Sequence, residues 1–515
     1  MLHHSLDHRA ASDPNAEFVS LGPRRLTMAD ARVESNRLAN GLGGLVGQGD
    51  RVAILCKNSL EMAVAFFGIS KAGAVAVPLN YRLTPAEWLF MLRDSGARVL
   101  IAGVEFVPLV DEIRADLGEI VSFLAVGSPV STPWMNYGDW LAPQSREEPA
   151  PVQNADADAI ILYTSGTTGH PKGVVWSHRG LTHLVAGLES AIGAVPGDRV
   201  LVAIPMFHIF GYALTVAGPL CGFGVQFQAD FHPAEVVRAL DEDRIAFAPL
   251  VPAMVQACLN AIPTDGSRKF EHLRSILYGA SPMPEKTLRA AIPAFRCGFI
   301  QFYGMTEFSP ISSLAWADHV TALDSRPGIL ASAGKPLPSL EVKIVGPDGG
   351  RLPDKVMGEI CVKGLHVMLR YHNRPDATAE ILRDGWIHTG DAGSLDADGY
   401  LYIQDRLKDI VISGAENIST REVEEALATI PGVADVAVIG IPHDDWGEAV
   451  HAVVVPREGS ALSEAGVIAY AKTVMARFKC PKSVEFVAAL PRNAAGKVLK
   501  RQLREPYWAS KARAV

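Results

Sequence analysis

Tyr163-Thr164-Ser165-Gly166-Thr167-Thr168-Gly169-His170-Pro171-Lys172-Gly173-Val174 follows directly on the apolar run Ala159-Ile160-Ile161-Leu162. The run reads as a buried strand. Four small hydroxyl side chains, three glycines and one lysine then crowd into a single turn. Glycine lets the backbone bend until successive N–H groups face one concavity, the hydroxyls add donors, and Lys172 supplies a charge able to follow a polyphosphate. A loop of that chemistry after a strand is a phosphate cradle. It is not the P-loop of common nucleotide triphosphatases, because Gly-Lys-Ser/Thr is absent at the required spacing. A flexible polar surface loop is the bland alternative. The density of hydroxyls, glycines and a lysine after a core strand argues against it.

The 515 residues exceed one compact core, so two or more domains are expected. Hydrophobic residues make up 48% and charged residues 20%, the balance of a globular enzyme with a large interior. A net charge of −8 and the lack of a long basic run exclude a general nucleic-acid binder. The six cysteines lie far apart with no Cys-x-x-Cys pair, and so read as buried thiols of a reducing, cytoplasmic compartment rather than a zinc site or disulfide frame. No signal peptide is evident in Met1-Leu2-His3-His4-Ser5-Leu6-Asp7. From Val200 to Ala229 there is no acidic or basic side chain, but Pro205, His208, Pro219 and several glycines interrupt the run. It reads as buried strand, loop and helix rather than a membrane span.

Helical spacing at 29–46, 58–71, 232–241 and 284–291 alternates with strands at Ala74–Leu79, Val99–Ile101, Val200–Ile204, Ser275–Tyr278 and Gly298–Phe302. That alternation predicts layered α/β architecture with largely parallel sheets. Residues 127–155, rich in Pro and polar side chains, read as a surface connection. From about Gly328 short strands (Leu340–Val345, Gly358–Lys363, Tyr400–Gln404) predict a β subdomain. Beyond Arg406 a small α+β unit is expected, with helices near 420–429 and 462–477 and strands at 435–440 and 449–455.

Four further blocks carry chemistry. Tyr303-Gly304-Met305-Thr306-Glu307 ends a strand with a Gly for close ligand approach, a hydroxyl for phosphate and a hard carboxylate suited to Mg²⁺; by itself it could be a capped helix start. Trp386-Ile387-His388-Thr389-Gly390-Asp391 sets one carboxylate at a Gly turn, able to accept bonds from a ribose diol, or simply an Asp turn. Asp405-Arg406-Leu407-Lys408-Asp409 joins the β subdomain to the small unit, and Pro491-Arg492-Asn493-Ala494-Ala495-Gly496-Lys497 puts a lysine at a Gly loop tip.

With the turn after residue 162, these blocks resemble, over about residues 10–505, the adenylate-forming (AMP-binding) superfamily of acyl-CoA synthetases, peptide-synthetase adenylation domains and beetle luciferases. The resemblance implies a large N-terminal adenylation domain, residues 1–405, of two layered α/β subdomains plus a β subdomain. A small mobile α+β C-terminal domain, residues 406–515, follows it. It implies that Thr164, Ser165, Gly166, Thr167, Thr168, Gly169 and Lys172 hold the phosphates of ATP. Gly279, Ala280 and Ser281 form a bed for adenine, beside Tyr303, Gly304, Met305 and Thr306. Asp391 and Arg406 touch ribose, Glu307 holds Mg²⁺, Lys408 is the pivot, and Lys497 bridges the acid and the α-phosphate. Ser413 and Gly414, in Ile410-Val411-Ile412-Ser413-Gly414-Ala415-Glu416-Asn417, belong to the face used with coenzyme A, where Ala415 replaces a frequent Gly and Ser419-Thr420 a frequent aromatic-Pro pair.

Pro205-Met206-Phe207-His208-Ile209-Phe210-Gly211 separates the branches. It has no acid to pair with an amino acid's ammonium, which would be left unpaired at an apolar site. His208 matches the residue that closes the carboxylate end of the pocket in acyl- and aryl-CoA ligases; a hydrogen-bonded core histidine is the other reading. Phe207, Tyr212, Val251 and Met254, with Gly304, are the expected pocket wall, with core packing as the alternative for each. The run Gln301–Pro310 and the tail Lys500-Arg501-Gln502-Leu503-Arg504 look most like medium- to long-chain fatty-acid–CoA ligases. Aryl-CoA ligases, transfer to a carrier-protein phosphopantetheine, and a non-enzymatic nucleotide or acyl sensor stay as alternatives. The implied partners are a small carboxylic acid, ATP and coenzyme A. Peripheral membrane contact and a homodimer are left open; nucleic acid and a transmembrane span are not expected.

Overall fold

A computed structural model describes residues 1–128, 131–151, 154–164, 171–281, 283–407, 409–413, 416–443, 446–492 and 498–509. The chain divides into two compact units. One comprises the residues up to Glu341 with Val362–Ile387; the other comprises Val342–Cys361 and the chain from His388 onward. The boundary expected at 405/406 falls at the end of the strand Leu401–Arg406, inside the second unit.

The first unit holds two large sheets and is the layered α/β architecture the alternating pattern predicts. In one, the strands Gly298–Met305, Ser275–Gly279, Phe247–Pro249, Arg199–Val202, Gly224–Phe227 and Glu17–Leu21 run parallel in that order, with Phe308–Leu314 antiparallel on one flank and Arg24–Thr27 on the other. The second sheet is ordered Arg370–Tyr371, Lys172–Ser177, Asp158–Thr164, Val75–Pro78, Arg51–Leu55, Ala97–Gly103, Ser122–Val126, Met135–Asn136. Val52, Ala53, Ile54 and Leu55 are each 0% exposed, which is why this strand is apolar without alternation: helices cover both faces. The helix Leu60–Lys71 is buried all round and sets Phe67 edge-on to Phe18 of the other sheet, ring centroids 5.6 Å apart. Gly68 permits its close packing on the helix Met28–Leu42, since a Cβ there would lie 2.8 Å from Leu38.

The run from Val200 resolves into the strand Arg199–Val202, the helix Ile209–Cys221 and the strand Gly224–Phe227. Among the described residues no helix is long and apolar enough to cross a membrane. Residues 127–155 are more than a surface connection. Met135–Asn136 pairs with Ser122–Val126, the helix Tyr137–Leu141 follows, and Trp134, Tyr137 and Leu141 are each 4% exposed. Three apolar anchors suffice there, and the polar average of the segment conceals them.

In the second unit, the strands Val411–Ser413, Glu416–Ile418, Val433–His443, Gly447–Pro456 and Ser483–Phe486 form one sheet, with the helices Thr420–Leu427 and Glu464–Val474 contributing Val423, Leu427, Val467 and Ala471 to its core. A further five-stranded sheet, the expected β subdomain, draws on residues of both units: Glu341–Val345, Gly358–Lys363, Trp386–Leu395, Leu382–Arg383 and Leu401–Arg406.

The first helix, His3–Ser12, docks through buried polar groups. His3 Nδ1 lies 2.8 Å from Ser70 Oγ, and Lys71 Nζ donates to Asp7 at 2.5 Å and to Asn36 Oδ1 at 2.7 Å. Burial pushes His3 down to about 3 and the neighbouring His178 to about 4, helped by the positive charges of His4, the N-terminal amine and, for His3, Lys71. The unfolded chain takes up protons near pH 6.5 that these folded imidazoles refuse, so their stability contribution is complete above that pH and is lost as pH falls toward 4 and then 3. Each is expected to cost about 1.4 kcal/mol per pH unit within that window. Urea midpoints measured from pH 7 to 5 should fall accordingly, and His3→Gln should flatten the slope.

Candidate active site

The parallel strands of the nine-stranded sheet deliver the predicted residues at their carboxyl ends, where open α/β sheets bind ligands. Ser275–Gly279 and Gly298–Met305 pair in parallel up to Gly279 opposite Phe302. A Cβ on Gly279 would stand 2.4 Å from the Phe302 carbonyl oxygen, so only glycine fits. Ala280 then takes a left-handed φ of 65°, a strained turn that leaves Ala280 and Ser281 exposed beyond the strand end.

Thr306 and Glu307 occupy the turn between Gly298–Met305 and Phe308–Leu314, whose pairing closes at Met305 opposite Phe308. Gly304, exposed, would bring a Cβ to 3.1 Å from the Phe308 carbonyl oxygen. The indole of Trp176 donates to the Thr306 carbonyl at 2.9 Å, and Met368 N–H donates to the Glu307 carbonyl at 2.9 Å. Glu307 is 7% exposed, and the Tyr371 hydroxyl donates to its Oε1 at 2.5 Å. On the face of that same tyrosine ring lies the Lys172 ammonium, 5.1 Å from the centroid. Lys172 pairs with Thr164 across the two strands that flank the hydroxyl-rich turn. Tyr371 therefore links Lys172 to the carboxylate of a different sheet. A cation and a hard carboxylate oxygen fixed on one aromatic side chain suit a polyphosphate and its divalent counter-ion.

The expected acid-pocket residues belong to the same unit. His208 stands at the start of the helix Ile209–Cys221 and makes no side-chain cap bond, its ring 4.4 Å from that of Phe207. Desolvation, and then the nearby Arg82 charge, push its imidazole down to about 4, so at neutral pH the ring is uncharged. Phe207 is buried edge-on to Tyr81, and Tyr212 edge-on to Phe66. Val251 begins the helix Pro252–Ala261 and Met254 lies in its first turn; both are partly buried at the end of the strand Phe247–Pro249.

In the second unit Asp391 and Arg406 face each other across paired strands, Arg406 Nε 2.8 Å from Asp391 Oδ1. The carboxylate is buried within the strand Trp386–Leu395 instead of at the expected Gly turn, and Gly390 before it has φ 68°. Ser413 is buried at the end of the strand Val411–Ser413. Ser165, Gly166, Thr167, Thr168, Gly169, Lys408, Gly414 and Lys497 lie outside the described residues. Tyr371 and Trp176 are the site residues that sequence reasoning misses. Tyr371 belongs to a two-residue strand with no periodicity to read, and Trp176 looks like one more core aromatic.

The profile of the AMP-binding enzyme family matches residues 6–372, and that of the AMP-binding enzyme C-terminal domain matches residues 422–497. The fatty acid–[acyl-carrier-protein] ligase ScoC of Streptomyces coeruleorubidus is 37% identical over 98% of this chain and 96% of its own length. A feruloyl-CoA synthase of Amycolatopsis sp is 38% identical, covering 97% of each chain. The solved Mycobacterium tuberculosis fatty acyl CoA synthetase is similar with a TM-score of 0.79 and 34% identity, over 99% of this chain and 98% of that one. Fold and site thus define an enzyme that activates carboxylic acids as adenylates and passes them to a thiol. The chain belongs to the AMP-binding enzyme family.

Tyr371→Phe keeps the ring under Lys172 but removes the bond to Glu307. A hydrogen bond to a charged group is worth about 1.5–3 kcal/mol, so ATP–pyrophosphate exchange is expected to fall about 10- to 100-fold. An unchanged exchange rate would mean that Tyr371 does not orient Glu307.

Proposed function

We propose that this chain is a fatty-acid–CoA ligase, in which residues 1–405 bind ATP and the acid and residues 406–515 form a domain that turns at Lys408. The Lys172–Tyr371–Glu307 linkage carries the reading, because it places a phosphate cation and a metal-type carboxylate on one ring. The apolar stretch 205–211, with an uncharged His208 and no acid, favours an acid without an α-ammonium.

In the first half-reaction a carboxylate oxygen attacks the α-phosphorus of ATP; the new acyl–phosphate bond forms as the bond to pyrophosphate breaks. Thr164, the hydroxyls of 165–168 and Lys172 hold the phosphates, Gly279–Ser281 with Tyr303–Thr306 carry the adenine, and Asp391 and Arg406 take the ribose. Glu307, a buried oxygen ligand oriented by Tyr371, fits Mg²⁺, which supplies charge screening to the triphosphate when bound. Lys497 stabilises the charge that develops between carboxylate and phosphate, and His208 closes the carboxylate end. In the second half-reaction turning at Lys408 withdraws Lys497 and presents Ser413-Gly414. The thiolate of coenzyme A then attacks the adenylate carbonyl and AMP leaves with the bonding pair. No covalent enzyme nucleophile is required, so proximity and charge carry the rate.

The similarity to a carrier-protein ligase and to a feruloyl-CoA synthase keeps acceptor and acid open to test. Buried free thiols accord with a reducing cytoplasm. A panel of alkyl and aryl acids, each supplied with coenzyme A or a phosphopantetheinylated carrier, should give fastest AMP release with fatty acids and coenzyme A. Aryl acids or the carrier winning would overturn those choices, and no pyrophosphate from any acid would overturn the enzyme reading. Lys497→Ala should abolish adenylation yet leave thioester formation from supplied acyl-adenylate intact. Lys408→Pro should do the reverse. Equal loss of both halves in either variant would contradict the two-state domain scheme.

A further inference from the structure

Cysteine spacing gives no metal motif, yet the fold assembles one. Glu359 and Cys361 alternate onto the same face of the strand Gly358–Lys363, and His388 comes from the neighbouring strand Trp386–Leu395. His388 Nδ1 lies 2.7 Å from Glu359 Oε2 and 3.4 Å from Cys361 Sγ, and the three donor atoms are all within 4.8 Å of one another. All three belong to the second unit. Cys361 is 0% exposed, whereas the side chains of Glu359 and His388 are 21% and 16% exposed, so the cluster has a buried sulfur and a solvent-facing rim.

We propose that Glu359, Cys361 and His388 form a zinc site. One imidazole nitrogen, one thiolate and one carboxylate are a borderline-soft donor set that favours Zn²⁺ over Mg²⁺ and leaves a fourth position for water. A tetrahedral ion about 2.0–2.3 Å from each donor spaces the donors roughly 3.3–3.7 Å apart, so the His388–Glu359 pair opens from 2.7 Å while the His388–Cys361 pair at 3.4 Å already fits. An imidazole–carboxylate pair alone would serve to orient the turn and gives no reason for a third metal-ligating atom to converge on the same nitrogen. Binding releases one proton, that of the thiol; the ring proton of His388 moves from Nδ1, where it now faces Glu359, to Nε2. Glu359 also accepts the Gly390 N–H through Oε1 at 3.2 Å, and Gly390 precedes Asp391. A metal that draws Glu359 away therefore loosens the strand segment Gly390-Asp391. That consequence, weaker nucleotide binding, rests on the ribose role proposed above, whereas the site itself does not.

The test uses the full chain freed of metal by chelator. Zn²⁺ is titrated in competition with a chromogenic zinc indicator, and Cd²⁺ is added to read thiolate-to-metal charge-transfer absorption in the ultraviolet. One equivalent should bind with a cadmium–thiolate band. Cys361→Ser should lose the band and weaken Zn²⁺ at least tenfold, and Glu359→Gln and His388→Gln should each weaken it, all with parental circular dichroism. No competition with the indicator, or a band that survives Cys361→Ser, would overturn the site. If Cys361→Ser fails to fold, unaltered zinc affinity in both other variants overturns it instead. In ATP–pyrophosphate exchange, Zn²⁺ should raise the KM for ATP in the parent; binding without that rise supports the site and overturns its link to the nucleotide.

Discussion

The residues 366–374 tie together the two sheets of the first unit, because the segment pairs with backbone groups that both sheets present. His366 Nε2 meets the Pro310 carbonyl at 2.8 Å, and Val367 bridges to Phe308. Met368 donates to Glu307, Leu369 to Val175 and His372 to Gly173. The side chains of His372 and Asn373 then reach the Asp94 carbonyl at the end of the helix Pro85–Ser95, and Arg374 reaches its carboxylate. Unpaired buried backbone groups are costly, so this alternation from one sheet to the other fixes the separation of Lys172 and Glu307. Tyr371 stands in the middle of that segment and finishes what the backbone begins.

The electrostatics follow from the same packing. Lys172 lies on a ring face instead of in an ion pair with Glu307, so its charge remains available to an anion. Tyr163, beside the hydroxyl-rich turn, spends its hydroxyl on Asp94 at 2.8 Å, and burial, with that carboxylate, raises its pKa strongly. It is thereby fixed as a neutral prop at the end of its strand. His208 is neutral for the opposite reason, burial without a carboxylate to hold its proton.

Most of the fold was legible because parallel strands buried on both faces carry long apolar runs, and helices carry caps. Helix Pro85–Ser95 opens with Thr84 and Glu87 as a reciprocal cap and closes on Gly96 at φ 61°. The candidate site was legible where glycine is compulsory, as at Gly279, whereas residues 165–170 of the hydroxyl-rich stretch lie outside the described residues. Tyr371 was not, since its strand has two residues and its partners lie 64 and 199 positions away in sequence at Glu307 and Lys172. The same is true of Met135–Asn136 and of the Glu359–Cys361–His388 cluster, whose meaning arises only from sheet order.

On the roles proposed above, sheet order separates the two ligands. The nucleotide falls to backbone at strand ends and to turns whose conformation demands Gly279 or a left-handed Ala280. The acid falls to side chains such as Val251 and Met254, which are partly buried and lie at the start of a helix instead of filling the sheet interior. A methylene in such a pocket is worth only about 1–3 kcal/mol. A handful of exchanges there redirects selectivity without disturbing the sheets. Proteins named for fatty-acid and for feruloyl substrates are 37% and 38% identical to this one chain, which accords with such local exchanges. On the proposed roles, selectivity for the acid is a local property of the strand ends, while the capacity to activate it is a property of the fold.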